Sequence, residues 1–300
     1  MVKRYLSECL FVGIFVAVFG YPPLAGVQGV EPLSVPSADQ GGIDSYTKLM
    51  LHADGSDQGT SFTDSETTPK TVTNNESYDS YTKLMLHMEG SGNSFTDSAA
   101  SKAVTTNGDV TQTTAQYKLG STSAVFDGTG IVDGRGDYLS LANSNDWNFG
   151  SGDFTIDTWI RFNSISSSDI QIIASNWDTT GNNRSWMLFY YYGGNGLYFN
   201  YSTEGSSQSS NSGGVAWYPV ANTWYHITVV RSGSNKIFFV NGTQLGSTGT
   251  FETETIYGGG TSLLRIGTFR SGGDVGYFFN GYLDELRISK GIARWTSDFT

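Results

Sequence analysis

Residues 152–161 read Gly152-Asp-Phe-Thr-Ile-Asp-Thr-Trp-Ile-Arg161, followed by Phe162. Phe154, Ile156, Thr158, Ile160 and Phe162 fall on one side of an extended chain, and Thr155, Asp157, Trp159 and Arg161 on the other. A period of two is the signature of a strand with one buried face. A helix would scatter these apolar residues around its circumference.

The neighbouring sequence repeats the pattern. Tyr225-His-Ile-Thr-Val-Val-Arg231 is rich in branched residues, Ser232-Gly-Ser-Asn235 supplies a turn, and Lys236-Ile-Phe-Phe-Val240 returns, which reads as a hairpin. Asn241-Gly242 then favours the positive φ angles of a tight primed turn, so another strand is expected from Thr243. Further strands are predicted near 82–88, 123–127, 137–141, 153–163, 170–176, 185–192, 196–202, 213–218, 223–231, 235–240, 262–267 and 278–289. The 38 Gly, 17 Tyr, 18 Phe and 7 Trp, against 15% charged residues, suit strands joined by tight turns. The fold class is therefore all-β, a two-sheet antiparallel β-sandwich, and 300 residues accommodate one such unit with a leader.

Several segments in order carry a resemblance. Ala124-Val-Phe-Asp-Gly128, Gly136-Asp-Tyr-Leu-Ser140, the 152–161 stretch, Thr223-Trp-Tyr-His-Ile-Thr-Val-Val-Arg231, Phe239-Val-Asn-Gly242 and Gly281-Tyr-Leu-Asp-Glu-Leu-Arg-Ile288 together resemble the laminin-G-like, concanavalin-A-like jelly-roll family. The resemblance covers about residues 80–300 and implies a two-sheet jelly roll built to bind, in many members with calcium.

The N-terminal part reads differently. Lys3 and Arg4 precede an apolar run from Leu10 to Gly20 and a small-residue stretch ending at Gly26, the layout of a signal peptide over 1–26. The run is too short to span a bilayer, so no membrane span is expected in the mature chain, which would be secreted or at the cell surface. Cys9, the only cysteine, lies inside this leader, so no disulfide is expected in the mature protein. Residues 27–42 suit a flexible linker. Asp44-Ser-Tyr-Thr-Lys-Leu-Met-Leu-His52 then recurs letter for letter at 79–87, and Ser61-Phe-Thr-Asp-Ser65 recurs at 94–98. Residues 43–78 thus read as a partial duplicate of the opening strand of a domain spanning 79–300.

Chemistry-bearing patterns are sparse. A net charge of −11 opposes nucleic acid, whose binding depends on Lys and Arg displacing counterions. Glycosidases hold two carboxylates across the scissile bond. The related glucanases present theirs as Glu-x-Asp-x-x-Glu or Glu-x-Asp-x-Glu, and neither occurs. Asp284 and Glu285 are adjacent and point to opposite faces of a strand, so no enzyme is expected. His52, His87 and His226 are too few for a zinc cluster. Calcium accepts carboxylate and carbonyl oxygens, and its candidate ligands are Asp97, Asp127 and Asp284.

Sugars are held by flat aromatic surfaces with a few placed polar groups. The candidates are Trp177, Trp217 and Tyr218 at strand ends and Tyr191 within Tyr190-Tyr-Tyr192, whereas Trp159 and Trp224 read as packing residues. Arg135-Gly-Asp137 spells an integrin tripeptide but also fits a turn before a strand. The reading is a non-catalytic module for a glycan or cell-surface polysaccharide, at a rim or on the concave sheet. The alternatives are a structural or adhesive domain of a surface or virion assembly with a protein partner, and a remnant of a glycoside hydrolase.

Overall fold

The alternation around Phe154 is realised as a nine-residue central strand in a computed structural model. The structure describes residues 61–63, 71–73, 78–129, 136–165, 170–251, 253–272 and 274–300. The expected leader, linker and first repeat copy (1–26, 27–42 and 44–52) lie outside these. The chain divides into two units, 1–75 and 76–300.

In the first unit β1 (Ser61–Thr63) pairs antiparallel with β2 (Thr71–Thr73). The second unit continues with β3 (Thr82–Leu86), β4 (Val104–Asn107), β5 (Thr111–Thr113), β6 (Ser123–Asp127), β7 (Tyr138–Leu141), β8 (Phe154–Phe162) and β9 (Ile170–Asp178). Then come β10 (Asn183–Tyr191), β11 (Gly196–Tyr201), β12 (Gly213–Ala216), β13 (Trp224–Ser232), β14 (Asn235–Val240), β15 (Thr243–Gln244) and β16 (Gly249–Thr250). The last are β17 (Leu264–Ile266), β18 (Phe269–Ser271), β19 (Asp274–Gly276) and β20 (Asn280–Lys290). Every strand read from the sequence is present. The strand expected from Thr243 is β15, and Asn241 and Gly242 carry the positive φ angles (51° and 78°) that the turn demands.

The described strands of the second unit form two nine-stranded sheets. Sheet I runs β12-β11-β10-β9-β17-β7-β4 with the β18–β19 hairpin attached to β9; sheet II runs β15-β14-β13-β8-β20-β6-β5, with β3 on β20 and β16 on β14. The inward residues of both sheets make one core: Phe154, Ile156, Ile160 and Phe162 from β8 meet Trp186, Leu188 and Tyr190 from β10 and Leu197, Phe199 and Tyr201 from β11. Phe149 stacks on Phe154 at 4.2 Å. This is a β-sandwich of the jelly-roll kind, with 47% strand among the described residues.

The repeat runs further than the opening strand. Thr63 faces Thr71 in the first unit, and at the matching place in the second Thr96 faces Ala103. Lys70-Thr-Val-Thr-Asn-Asn75 thereby aligns with Lys102-Ala-Val-Thr-Thr-Asn107. The duplicated piece therefore corresponds to 79–107, which gives β3 to sheet II and β4 to sheet I.

Candidate functional site

Three neighbouring strands of sheet I carry an apolar outer face. Their register sets Phe189 between Tyr198 and Ile172, Tyr191 between Gly196 and Ile170, and Met187 between Asn200 and Ser175. Ile172, Trp177 and Phe189 are buried there under Phe269 of the β18–β19 hairpin, while Ile170, Met187, Tyr191 and Tyr198 stay half-exposed. Glycines form the floor beneath the tyrosines. A Cβ on Gly214 would stand 2.7 Å from Tyr198 Cγ, and one on Gly194 would stand 2.3 Å from Tyr198 Oη and 2.8 Å from Tyr191 Cδ1. Because that space is free, both rings rest against the backbone. Tyr198 lies nearly parallel to Phe189, at 5.4 Å and 18°. Beside them Asn200 donates through Nδ2 to Gln208 Oε1 at 2.9 Å, and its buried Oδ1 has no partner among the described residues. A broad aromatic surface suits the apolar face of a sugar ring.

The residues singled out from the sequence are distributed unevenly over this arrangement. Tyr191 and Trp177 share the outer face of sheet I, but Trp177 is only 4% exposed and serves as packing under the hairpin. Trp217 points inward: it is 7% exposed, with Tyr225 at 5.2 Å, Tyr190 at 5.8 Å and Phe162 at 6.1 Å, so its ring offers no free face to a ligand. Its neighbour Tyr218 is 72% exposed. Trp159 and Trp224, read as packing residues, are half-exposed on the outer face of sheet II. Tyr198 and Asn200 escaped the sequence reading. The signal available was the glycine pattern 193–196 and 213–214 flanking a strand with alternate tyrosines, since strand glycines mark close approach.

The three metal candidates lie in three different settings. Asp97 accepts amide hydrogen bonds from Met85, Ala99 and Lys102, which commits both of its oxygens to shaping the turn after β3. Asp284 is fully buried; Oδ2 accepts from the amides of Lys118 and Leu119, and Oδ1 has no partner. Burial pushes its carboxyl up to about 6, against the pull of those amides. Asp127 joins Asp109 and Asp137, with carboxylate oxygens all within 4.8 Å of one another. Burial pushes Asp137 up to about 7. For Asp127 burial is outweighed by the Thr129 hydroxyl and amide, and its pKa falls below the ordinary value. Three converging carboxylates fit a hard cation such as calcium; Asp97 and Asp284 belong to no such group among the described residues. Asp137 is also the acid of the Arg-Gly-Asp triplet; it is buried, so it is not displayed to a receptor, and Arg135 lies outside the described residues.

The carboxylates adjacent in sequence do not converge on a cleft. Glu285 sits in a β-bulge of β20 at φ 50° and pairs with His87 Nδ1 at 2.8 Å, while Asp284 is sealed by the 118–119 amides.

Solved structures share this architecture. The binding domain of Paraclostridial Mosquitocidal Protein 1 matches with a TM-score of 0.54 at 16% identity, over 71% of this chain and 49% of that one. Botulinum neurotoxin type C, whose cell entry is dependent upon interaction with two ganglioside molecules, matches at 0.52 and 18%, over 71% and 48%. The binding domain of botulinum neurotoxin DC in complex with rat synaptotagmin II matches at 0.52 and 18%, over 71% and 49%. The chain thus spans about half the length of these structures, and at such identities the likeness is one of fold. No curated protein matches in sequence. A family model matches residues 133–294, more than half of the chain and inside the span that resembled the family. The chain belongs to the concanavalin A-like lectin/glucanases superfamily.

Proposed function

We propose that this chain is a non-catalytic glycan-binding module of an exported protein, and that the glycan lies on the outer face of sheet I. The observation that carries this is the pair of half-exposed rings Tyr191 and Tyr198, rested on a glycine floor. The ganglioside dependence of one structural neighbour agrees with a surface glycan as ligand. Export by residues 1–26 belongs to the same proposal. No helix among the described residues is long and apolar enough to cross a membrane. The test is a glycan array probed with the purified chain and with a Tyr191→Ala, Tyr198→Ala double variant. Binding by the first and not the second supports the reading; equal binding by both contradicts it.

Calcium enters as a structural ion held by Asp109, Asp127 and Asp137 at the junction of the β4–β5 turn with β6 and β7. A cation that binds only the folded state stabilises by RT ln(1 + [L]/Kd), about 2.7 kcal/mol at a hundredfold excess over Kd. Adding millimolar calcium after chelator treatment is therefore expected to raise Tm by several degrees, with the increase absent in Asp127→Asn. An unchanged Tm in the native chain would remove calcium from the account.

A second reading, adhesion to a protein partner, has one feature in its favour: Tyr218 and Val220 stand 72% and 65% exposed on the loop between β12 and β13. Exposed aromatic and branched residues of this kind serve protein contacts. Loss of partner capture in Tyr218→Ser, with glycan binding intact, would identify it.

A further inference from the structure

The outer face of sheet II is closed over one half and open over the other. On the closed half Ala293, Trp295 and Phe299 of the C-terminal tail pack on Val230, Ile237 and Phe239. Trp295 and Phe299 stack at 4.0 Å and 10°, and His226 meets both edge-on. The charges there are spent, because Arg287 is paired bidentately with Asp157 at 3.0 Å.

The open half is built differently. Arg161 stands between Trp224 of β13 and Tyr282 of β20, and Trp159 lies two residues along β8 on the same face. All four are half-exposed. The Arg161 guanidinium rides 5.3 Å over the Tyr282 ring, and Lys118 Nζ rides 4.4 Å over Trp159. Neither cation has a carboxylate partner among the described residues. Among the described residues Arg161 donates to Asn163 Oδ1, at 3.4 Å, and Lys118 Nζ has its contact with the Trp159 ring and no oxygen partner. By contrast Lys102, Arg270, Arg287 and Arg294 are each paired with an aspartate. The Lys118 backbone is fixed in place, since its amide and that of Leu119 donate to buried Asp284.

We propose that this open half of sheet II is a second ligand site, for a saccharide bearing a carboxylate or sulfate. In a chain of net charge −11, two cations mounted on aromatic rings on one face, without a carboxylate partner among the described residues, offer positive charge to an anionic ligand, while Asp284 beside them is buried. The rings offer stacking to a sugar face, and the fork of Arg161 fits the two oxygens of an anionic substituent. The site is independent of the one on sheet I and shares no residue with it.

The experiment titrates the full chain, by calorimetry and by tryptophan fluorescence, with a sulfated heparin tetrasaccharide, an oligogalacturonate of equal length and a neutral maltotetraose. One or both anionic ligands are expected to bind and the neutral one not, with affinity falling as salt rises. Arg161→Gln and Lys118→Gln should each weaken binding by about tenfold or more, with Arg161→Lys intermediate and Tm unchanged in all three. The Tyr191→Ala, Tyr198→Ala variant should bind the anionic ligands as before, which separates this site from that on sheet I. The proposal is overturned if neither anionic ligand binds, if the neutral one binds equally, or if binding survives Arg161→Gln and Lys118→Gln. Loss of binding in the tyrosine variant overturns it as well.

Discussion

Lys236 is a cation placed almost wholly inside the sandwich. It is 5% exposed, its Nζ donates to the carbonyl of Asn211 at 2.6 Å, and it lies near the rings of Phe251 and Tyr201. Burial pulls its pKa down to about 8, with Glu254 pulling the other way. A lysine that releases its proton earlier in the folded chain than in the unfolded one penalises folding below its folded pKa. Because the unfolded state then binds more protons, stability rises with pH above about 8. Tyr201, whose phenol is pushed up by burial, acts in the opposite sense above its ordinary value of 10. The window is therefore pH 8–10, and the gain is about 1–2 kcal/mol at roughly 1.4 kcal/mol per unit. Urea denaturation across that range should show the rise in the native chain and a flat profile in Lys236→Met. A flat profile in both would mean that Lys236 is solvated. Residues of this kind also mark where sequence reading stops. Trp217 and Tyr218 are neighbours of similar composition, and only the packing of Trp217 against Phe162, Tyr190 and Tyr225 decides that one faces the core and the other the solvent.

At the level of elements, the long strands were legible because each buries one side. β8, β13 and β14 combine alternation with branched and aromatic residues, and Asn241-Gly242 announces the next turn. What escaped were β1, β2, β4, β5, β16, β18 and β19, two to four residues each. Val-Thr-Thr-Asn and Thr-Gln-Thr hold too few apolar side chains to show a period, and they are strands because a neighbour offers hydrogen bonds. The Asn241-Gly242 turn also anchors the tail: the amide of Phe299 donates to the Gly242 carbonyl, and a Cβ on Gly242 would stand 1.9 Å from the Phe299 carbonyl oxygen. Gly242→Ala would strain a φ of 78° and push the tail off sheet II together. We expect a loss of at least about 1 kcal/mol, read as a lower denaturation midpoint, and increased solvent exposure of Trp295, read by fluorescence. An unchanged midpoint would show that the tail does not depend on the turn.

On the scale of the whole molecule, the sandwich class and the family followed from ordered strand motifs, because each motif is a local consequence of burying one face. The binding surface was legible only in part. Tyr191 was found from its place in an alternating strand, but the surface is assembled from β9, β10, β11 and β12, and no spacing along the chain shows that Tyr198 crosses Gly214. The calcium candidates show the same limit, since Asp109, Asp127 and Asp137 come from separate elements and meet only when the sandwich closes. Whether the outer face of sheet I recognises glycan is decided by the glycan-array profile of the native chain beside that of the Tyr191→Ala, Tyr198→Ala variant, each first confirmed folded by an unchanged Tm. The native chain is expected to bind a defined set of glycans that the variant loses; a native chain that binds no glycan, or a variant that keeps the full profile, would contradict a glycan site on this face.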